Sequence, residues 1–591
     1  MHLVARIKPL IATTLSAIFE EPVTPEELTI NSTKPEFEGD YTLVLFGLVK
    51  KLKKSPEQLG ETIGTALTRD HAELFVSYNV IKGFLNLTIR DEYWLQFLAD
   101  NFDNPLFGTQ PNRGKKVMVE YSSPNTNKPL HLGHLRNIFL GWSVAEMLKQ
   151  NGYEVIKSCV VNDRGIHICK SMIAWQLFAH GETPESRQLK GDHFVGDYYV
   201  KFNDAYKQEV NDLIAGGMTK EEAEKEAPIL KATQQMLLDW EAGKPEVMDL
   251  WNKMNGWVYE GFDKTYQKIG ADFQKTYYES KTYLLGKQFV EEGLQQGVFF
   301  KKEDGSTWID LTEDGLDQKL VLRKDGTSVY ITQDLGLAQQ KFDEFNYDQS
   351  IYVIADEQNY HMKVLQLILQ KLGKSYANGI YHLSYGMVEL PSGRMKSREG
   401  TVVDADDIVA EMIKVAQQKT EELGKVKDFT PAELDTLYQQ LALGALKFFL
   451  LRVDPKKKMI FNPEESIDFQ GFTGPFIQYT HARIRSILRK EKPGAALNPG
   501  SSLLKEEKEL LVLLEQYPAI LEQAVTEHNP SVVAIYAFAI AKNFNSFYTA
   551  LSIMNAESPE KKQLRLRIAA TTAQVIKSAM AQLGIQVPER M

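Results

Sequence analysis

Cysteine is almost absent from this chain: Cys159 and Cys169 are the only two in 591 residues. Two thiols cannot build a disulfide framework or a four-ligand zinc site. Such sparing use fits a reducing, cytoplasmic setting, and no structural zinc is expected. Long apolar runs are also lacking, and no uncharged stretch is long enough to span a bilayer. The start, MHLVARIKPLIATTLSAIFEEP, has helical periodicity without the basic region, apolar core and small-residue cleavage site of a secretory leader. Membrane insertion and secretion are therefore not expected. Low-complexity tracts and repeats of about 20 to 50 residues are missing as well. What is present is ordinary globular composition, 43% hydrophobic and 25% charged, with ample length to bury a core.

Positive charge is in deficit, with 68 Lys+Arg against 78 Asp+Glu and a net charge of −10. This argues against a general polyanion binder. The deficit is uneven, however. From Leu441 onward there are 19 basic and 14 acidic residues, an excess of five positive charges, which leaves fifteen negative on the first 440. A basic C-terminal third beside an acidic remainder permits one nucleic-acid face.

Residues 1–110 read as a small α+β unit. It has helices in the first twenty residues, around YTLVLFGLVKKLKK and from Pro56, then a strand–Gly turn–strand in FVSYNVIKGFLNLTI. NPLFGTQPNRGKK is a linker. Residues 111–405 alternate strands and helices: KVMVEYSS, then HLGHLRNIFLGWSVAEMLKQNG, then YEVIKSCVV form a parallel βαβ unit. SVYITQ opens a further strand with a helix from Asp334, and SIYVIA precedes the helix NYHMKVLQLILQKLG. This alternation predicts an α/β, doubly wound parallel sheet. Residues 170–320, charge-dense and helical in pattern, interrupt it as an inserted arm. A helical connecting region follows at 406–470 and a helical bundle at 471–591.

His131 and His134 stand three apart where a strand gives way to a helix, so both rings share the first turn. A helix N-terminus offers free N–H groups and partial positive charge to a phosphate. Gly133 removes a side chain where a base or ribose could approach, and Lys128 adds a cation just before the turn. Ligands of open α/β sheets bind at such strand ends. Two surface histidines at a helix start remain the alternative for an isolated HxGH.

With its context, VEYSSPNTNKPLHLGHLRN resembles the signature of class I aminoacyl-tRNA synthetases, and specifically the arginyl-tRNA synthetase family. PEFEGDYTLVLFGLVKKLKKSP is similar to that family's N-terminal domain. VVNDRG, SVYITQDLGLA and VIADEQNYH resemble its catalytic blocks, and GPFIQYTHARIRSIL with LGIQVPERM its helical anticodon-binding domain. The resemblance covers nearly the whole chain, most weakly across 170–320. It implies a Rossmann-like catalytic domain, activation of L-arginine by ATP with Mg2+, transfer to the terminal adenosine of tRNA, a need for bound tRNA in activation, and a monomer.

Arginine activation needs acceptors for a guanidinium. Asp334 can take a bidentate pair, Tyr330 offers a hydroxyl or ring face, and an unpaired Gln358 amide oxygen would reject lysine. Taken singly, Asp334 could be a helix cap, Tyr330 a core residue and Gln358 a loop residue. The resemblance makes all three arginine ligands, beside His131. It also implies that Glu120, Ser123 and Asn125 hold the amino and carboxylate groups. A second ATP element is expected in SYGMVELPSGRMKSREGTVV. The family pattern Lys-Met-Ser-Lys-Ser is met here by Arg394, Met395, Lys396, Ser397 and Arg398, a partial match. Lys396, Arg398 and Lys128 are alternative cations for the departing phosphates, with Met395 and Ser397 beside them. By resemblance Gly386 and Met387 line the adenine pocket. His361 and His167 lack metal-ligand partners at suitable spacing, and are read as packing or hydrogen-bonding residues. Both cysteines read as plain buried side chains.

For tRNA, Phe476, Tyr479 and Arg483 fall on one helical face, with Arg485 following. Aromatics with a guanidinium are how unpaired bases are held, although inward packing explains such residues equally well. The resemblance places Phe476, Arg483 and Met591 near the anticodon loop, and Phe84 and Asn86 near the tRNA elbow. The run 456–458 is a phosphate contact or a solvated charge run. Two rivals remain at this point. One is a class I synthetase for another amino acid or a nucleotidyltransferase with an HxGH turn. The other is a tRNA-binding relative without catalysis, which should have lost a histidine or the guanidinium carboxylate.

Overall fold

The computed structural model describes residues 2–591 apart from 35, 390, 392–402, 423, 425–427 and 495–500. The N-terminal unit is a four-stranded antiparallel sheet, β1 (Ile30–Ser32), β2 (Tyr41–Val44), β3 (Phe75–Ile81) and β4 (Phe84–Ile89), in the order β1-β2-β4-β3. Helices α1 (Leu3–Phe19), α2 (Phe46–Leu52), α3 (Pro56–Asp70) and α4 (Asp91–Asn101) accompany it. Pro56 opens α3 as the sequence predicts, and Ser55 caps it. One expectation fails here. YTLV is strand β2 and only FGLVKKL is helix, because Tyr41, Thr42 and Leu43 are all buried and pair with β1 and β4.

The catalytic unit is built on a five-stranded, wholly parallel sheet. Its strands are β5 (Lys116–Glu120), β6 (Glu154–Val161), β7 (Lys275–Tyr278), β11 (Gln349–Ala355) and β12 (Ile380–Tyr385), in the order β12-β11-β5-β6-β7. Alternation along the strands feeds two cores. Val117, Val119, Ile351 and Val353 pack with Leu135 and Ile138 of α5 (Leu132–Gln150). Met118, Ile156 and Tyr352 face the other side, against Leu335 of α14 (Tyr330–Phe345) and Leu365 of α15 (Asn359–Lys371). Helices therefore cover both faces, and the sheet is doubly wound. β6 lies on one side of β5 and β11 on the other, so the strand order reverses at β5, where ligands of such sheets bind.

The insertion departs from the helical arm that the sequence suggests. Helices α6 (Ile166–Phe178), α7 (Pro184–Arg187), α8 (Gly191–Ala215), α9 (Lys220–Glu226), α10 (Pro228–Glu241) and α11 (Pro245–Ile269) agree with it. Beyond them β7 rejoins the parallel sheet. After α12 (Glu279–Thr282) and α13 (Lys287–Gln295), strands β8 (Phe299–Lys301), β9 (Thr307–Ile309) and β10 (Lys319–Leu322) form a separate antiparallel sheet. Its strands, of three or four residues each, offer too few positions to show a period.

The C-terminal part is helical as expected: α16 (Ala405–Glu422), α17 (Pro431–Leu451), α18 (Pro463–Ser466), α19 (Gly474–Lys490), α20 (Lys505–Glu515), α21 (Tyr517–Thr526), α22 (Pro530–Ala550) and α23 (Pro559–Gln582). A two-residue parallel pair, Val388–Glu389 with Met459–Ile460, ties its start to the end of the catalytic sheet. Among the described residues no helix is long and apolar enough to cross a membrane.

Candidate active site

The turn after β5 is held under backbone strain. Ser122 and Ser123 have φ of 77° and 44°, a left-handed region that side chains other than glycine seldom adopt. Asn137 on α5 accounts for it. Its carbonyl accepts from the Ser122 N–H at 2.6 Å and its amide donates to the Val353 carbonyl at 2.7 Å. One buried side chain thus joins the ends of β5 and β11 at the reversal point.

His131 caps α5 and His134 is the third residue of that helix, their ring centroids 3.9 Å apart. His131 Nδ1 accepts from the Gly133 N–H, and His134 Nδ1 accepts from the His131 N–H, both at 3.1 Å. A neutral imidazole that accepts at Nδ1 carries its proton on Nε2. Burial, with Lys128 nearby, lowers His131 to about 3. Burial, His131 and Lys128 hold His134 well below the ordinary value. Two neutral Nε2–H donors therefore sit at a helix N-terminus, which suits phosphate oxygens. A Cβ on residue 133 would lie 3.0 Å from the His131 ring, so any side chain there would push the imidazole from its place.

The next turn of α5 adds residues that the motif contains but sequence reasoning passed over. Arg136 is 1% exposed and donates to the carbonyls of Met387, Pro455 and Lys457. It joins the HxGH helix to the Gly386–Met387 segment and to the lysine run. A Cβ on Gly386 would lie 2.7 Å from the backbone of Lys457 and Lys458. Absence of a side chain there is first a packing need between two chain segments.

A cleft of about 820 Å³ is lined by Asn125, Asn162, Arg164, His167, Glu279, Tyr283, Arg323, Tyr330 and Gln333 among others. Of the sequence candidates it gathers Asn125, Tyr330 and His167. Tyr330 is not at a strand end: SVYITQ forms no strand, and Tyr330 is the first residue of α14, 76% exposed. It is therefore not a core residue. Asp334 is the fifth helical residue and so not a cap. His361 Nε2 stands 2.6 Å from Asp334 Oδ2, and this hydrogen bond raises the imidazole pKa. Gln358 is exposed in the turn after β11.

Glu279 is the residue missed. Burial, partly offset by Arg164, raises its carboxyl to about 7, with Asp163 and Asp334 adding to the rise. A carboxyl that feels Asp334 and opens on the cleft suits a cation between the two. In sequence Glu279 lies in the weakly patterned insertion, with no motif to mark it. Asp163 of the VVND run fixes it in place by accepting from the Ser280 N–H at 2.8 Å and the Ser280 hydroxyl at 2.7 Å.

Glu120 differs from expectation. Its carboxylate is paired with the Lys341 ammonium, which is wholly buried and lies over the Tyr352 ring. Its charge is already matched inside the protein, so it serves to fix β5 against α14. Cys159 and Cys169 are buried and burial pushes both thiols up to about 12, consistent with inert packing. His167 meets the Tyr199 hydroxyl at 3.1 Å. Arg394, Met395, Lys396, Ser397 and Arg398 lie outside the described residues.

In the C-terminal bundle a second cavity, about 380 Å³, is lined by Tyr479, Arg483, Arg489, Lys490, Tyr548, Arg590 and Met591 among others. The Arg483 guanidinium lies over the Tyr479 ring at 4.9 Å. Phe476 does not join them but packs against Phe538, centroids 5.1 Å apart. Arg485 pairs instead with Glu589. In the N-terminal unit Phe84 is 39% exposed and meets Phe46 edge-on, whereas Asn86 is 1% exposed and bonded to Thr42 and Asn79. Asn86 braces the sheet and presents nothing to a partner.

A doubly wound sheet with an HxGH helix at its reversal point, followed by a helical bundle, defines the architecture of a class I synthetase. Residues 101–462 match the family described as tRNA synthetases class I (R), catalytic domain. Residues 477–591 match the DALR anticodon binding domain, and 5–89 the arginyl tRNA synthetase N terminal domain. The chain is 51% identical to the arginine–tRNA ligase of Flavobacterium psychrophilum, over the full length of both. It is also 51% identical to that of Amoebophilus asiaticus, over 99% of each. The arginyl-tRNA synthetase structure from Thermus thermophilus shares the fold over 100% of both chains, with a TM-score of 0.79 at 23% identity. The chain belongs to the arginyl-tRNA synthetase family.

Proposed function

We propose that this chain is an arginine–tRNA ligase, which activates L-arginine with ATP and transfers it to the terminal adenosine of its cognate tRNA. The observation that carries this reading is a pair of carboxyl groups within electrostatic reach of each other, Asp334 and Glu279, with Glu279 lining a cleft together with Asn125 of the loop that leads to the neutral His131–His134 turn. The carboxylates and the Tyr330 hydroxyl suit a guanidinium, to which Gln358 adds an amide oxygen; the two Nε2–H groups suit the phosphates of ATP.

The carboxylate of arginine attacks the α-phosphate in line, and pyrophosphate departs. A ribose hydroxyl of the terminal adenosine then attacks the acyl carbon, and AMP departs. Most of the acceleration comes from positioning and from charge stabilisation on phosphate oxygens. ATP enters as its Mg2+ complex. Ser123 and Asn125 take the α-amino and carboxylate groups, Gly133 admits the nucleoside, and Gly386 and Met387 border the base. Lys128, Lys396 and Arg398, with Met395 and Ser397, are the group from which the phosphate cations are drawn. Tyr479, Arg483 and Met591 receive the anticodon loop, and Phe84 meets the elbow. The enzyme works as a cytoplasmic monomer and activates arginine only with tRNA bound.

The test is ATP–pyrophosphate exchange with each of the twenty amino acids, with and without total tRNA. Exchange with arginine alone, and only when tRNA is added, is the expected result. Exchange with another amino acid would overturn the roles given to Asp334 and Glu279. Full exchange without tRNA would overturn the tRNA requirement alone.

A further inference from the structure

The HxGH turn is supported from a direction that the reaction does not explain. Leu130–Leu132 pairs with 403–405: the Ala405 N–H donates to the Leu130 carbonyl at 2.9 Å and the Leu132 N–H to the Val403 carbonyl at 3.3 Å. This second segment is itself clamped. Asp404 caps α16, its Oδ1 accepting from the Asp406 and Asp407 N–H groups. The outward side of Asp404 and Asp406 meets α8, an element of the insertion and not of the sheet. His193 Nε2 lies 3.2 Å from Asp404 and 3.3 Å from Asp406. Lys190 Nζ binds Asp406, Asp192 at 3.0 Å, and Thr265 on α11. One turn further along, α8 touches the signature loop directly, where a Cβ on Gly196 would lie 2.8 Å from the Pro129 ring.

Asp192, His193 and Asp406 also have metal-ligand spacing. The Lys190 ammonium already occupies that position, so the cluster is an ion-pair clamp and not a cation site.

We propose that Lys190 and His193 are positioning residues for ATP: by clamping Asp404 and Asp406 they hold the 403–405 segment, and through it the His131–His134 turn, in register to receive the phosphates. The inference rests on the function proposed above. It assigns to the insertion a part in nucleotide binding that no motif in the sequence marks.

The charge state of His193 makes the clamp testable. The groups facing it are Asp404 and Asp406 from the α16 start, and Lys190 and Asp192 from its own helix; Thr265 and Lys268 of α11 face Asp406. The Asp406 hydrogen bond raises the His193 pKa, against burial, with Asp404 and Asp192 adding and Lys190 opposing. A raised histidine is charged below its folded value and loses that charge as pH rises through it. The clamp is therefore strongest at and below pH 6.5 and weakens above it.

The experiment measures the KM for ATP in arginine-dependent, tRNA-supplemented exchange at pH 6.5 and 8.5, for wild type, His193→Gln and His193→Lys. In the wild type the KM for ATP should rise roughly threefold between the two values, the scale of a partly exposed ion pair. His193→Gln should show the high KM at both, and His193→Lys, permanently charged, the low KM at both. The KM for arginine should move alike in all three. A merely structural histidine would not order the variants by charge. If His193→Gln keeps the wild-type KM and pH profile, the clamp is overturned while wild-type exchange still upholds the function. If the wild type gives no exchange with arginine, the function fails and the proposal fails with it.

Discussion

At the scale of single residues, the binding of a cation is governed by how carboxyl groups are kept available for it. Glu279, raised to about 7, is half protonated near neutrality when the cleft is empty. A guanidinium binds its charged form, so arginine should bind more tightly as pH rises through 7. The KM for arginine should fall roughly tenfold from pH 6 to pH 8, since the charged fraction rises from about one eleventh to about ten elevenths over one pKa unit either side of the midpoint. In Glu279→Gln this fall should vanish and the KM stay high. A pH-independent KM in the wild type would remove Glu279 from the arginine site. Lys341 poses the converse case, a buried charge whose partner is fixed. Lys341→Met leaves the Glu120 carboxylate unpaired in the core and should cost about 3 to 5 kcal/mol in urea unfolding. Removing both charges, in Lys341→Met with Glu120→Gln, should recover most of that loss. If the double variant is as unstable as the single one, packing and not charge is the cause.

At the scale of elements, the site depends on how β5, β11 and α5 meet. Asn137 spans them, and Asn137→Ala would strand the Ser122 N–H and the Val353 carbonyl in a buried place. Two lost partners cost about 2 to 6 kcal/mol, and the Ser122 hydroxyl–Tyr266 contact at 2.7 Å would be left to hold the strained turn without its link to β11. The expected outcome is a KM increase for both ATP and arginine, with a lowered melting temperature. A rise confined to one substrate would show that the turn keeps its shape without Asn137. Elements with clear patterns were legible in the sequence: α5, β5, β6, β11 and α15 fall where their patterns put them, and the C-terminal part is helical as a whole, its individual helices not having been divided. The β-hairpin of β3 and β4 was legible from its Gly turn. SVYITQ was misread because its β-branched and aromatic residues favour a strand, while packing of Ile331, Thr332 and Leu335 makes it the first turn of α14. Of the candidate site, the HxGH turn and the Tyr330–Asp334 pair were visible because each lies within a few residues. Glu279 and the Lys190–His193 clamp were not, since residues far apart in sequence create them.

At the scale of the whole molecule, a chain with net charge −10 must bind a polyanion on a chosen face. On the function proposed above, the cavity with Arg483, Arg489, Lys490 and Arg590 is the candidate, on the part of the chain with a basic excess. Tyr479 and Phe476 share the α19 surface, yet only Tyr479 opens on that cavity, with Arg483 over its ring. A base stacked there gains attraction from both ring and guanidinium, and loss of such a platform costs about 1 to 3 kcal/mol. Tyr479→Ala should therefore raise the KM for tRNA in aminoacylation roughly tenfold or more, and leave unfolding almost unchanged. Phe476→Ala should do the reverse, because its ring is spent against Phe538 in the bundle: stability should fall by about 1 to 3 kcal/mol, less than the loss of a fully buried phenylalanine, while tRNA affinity changes little once the protein is folded. Raising the salt should weaken tRNA binding in both proteins by the same slope, since neither change removes a phosphate-binding cation. Equal losses of tRNA affinity in the two variants would mean that α19 binds tRNA through its shape as a whole, and not through the Tyr479–Arg483 pair.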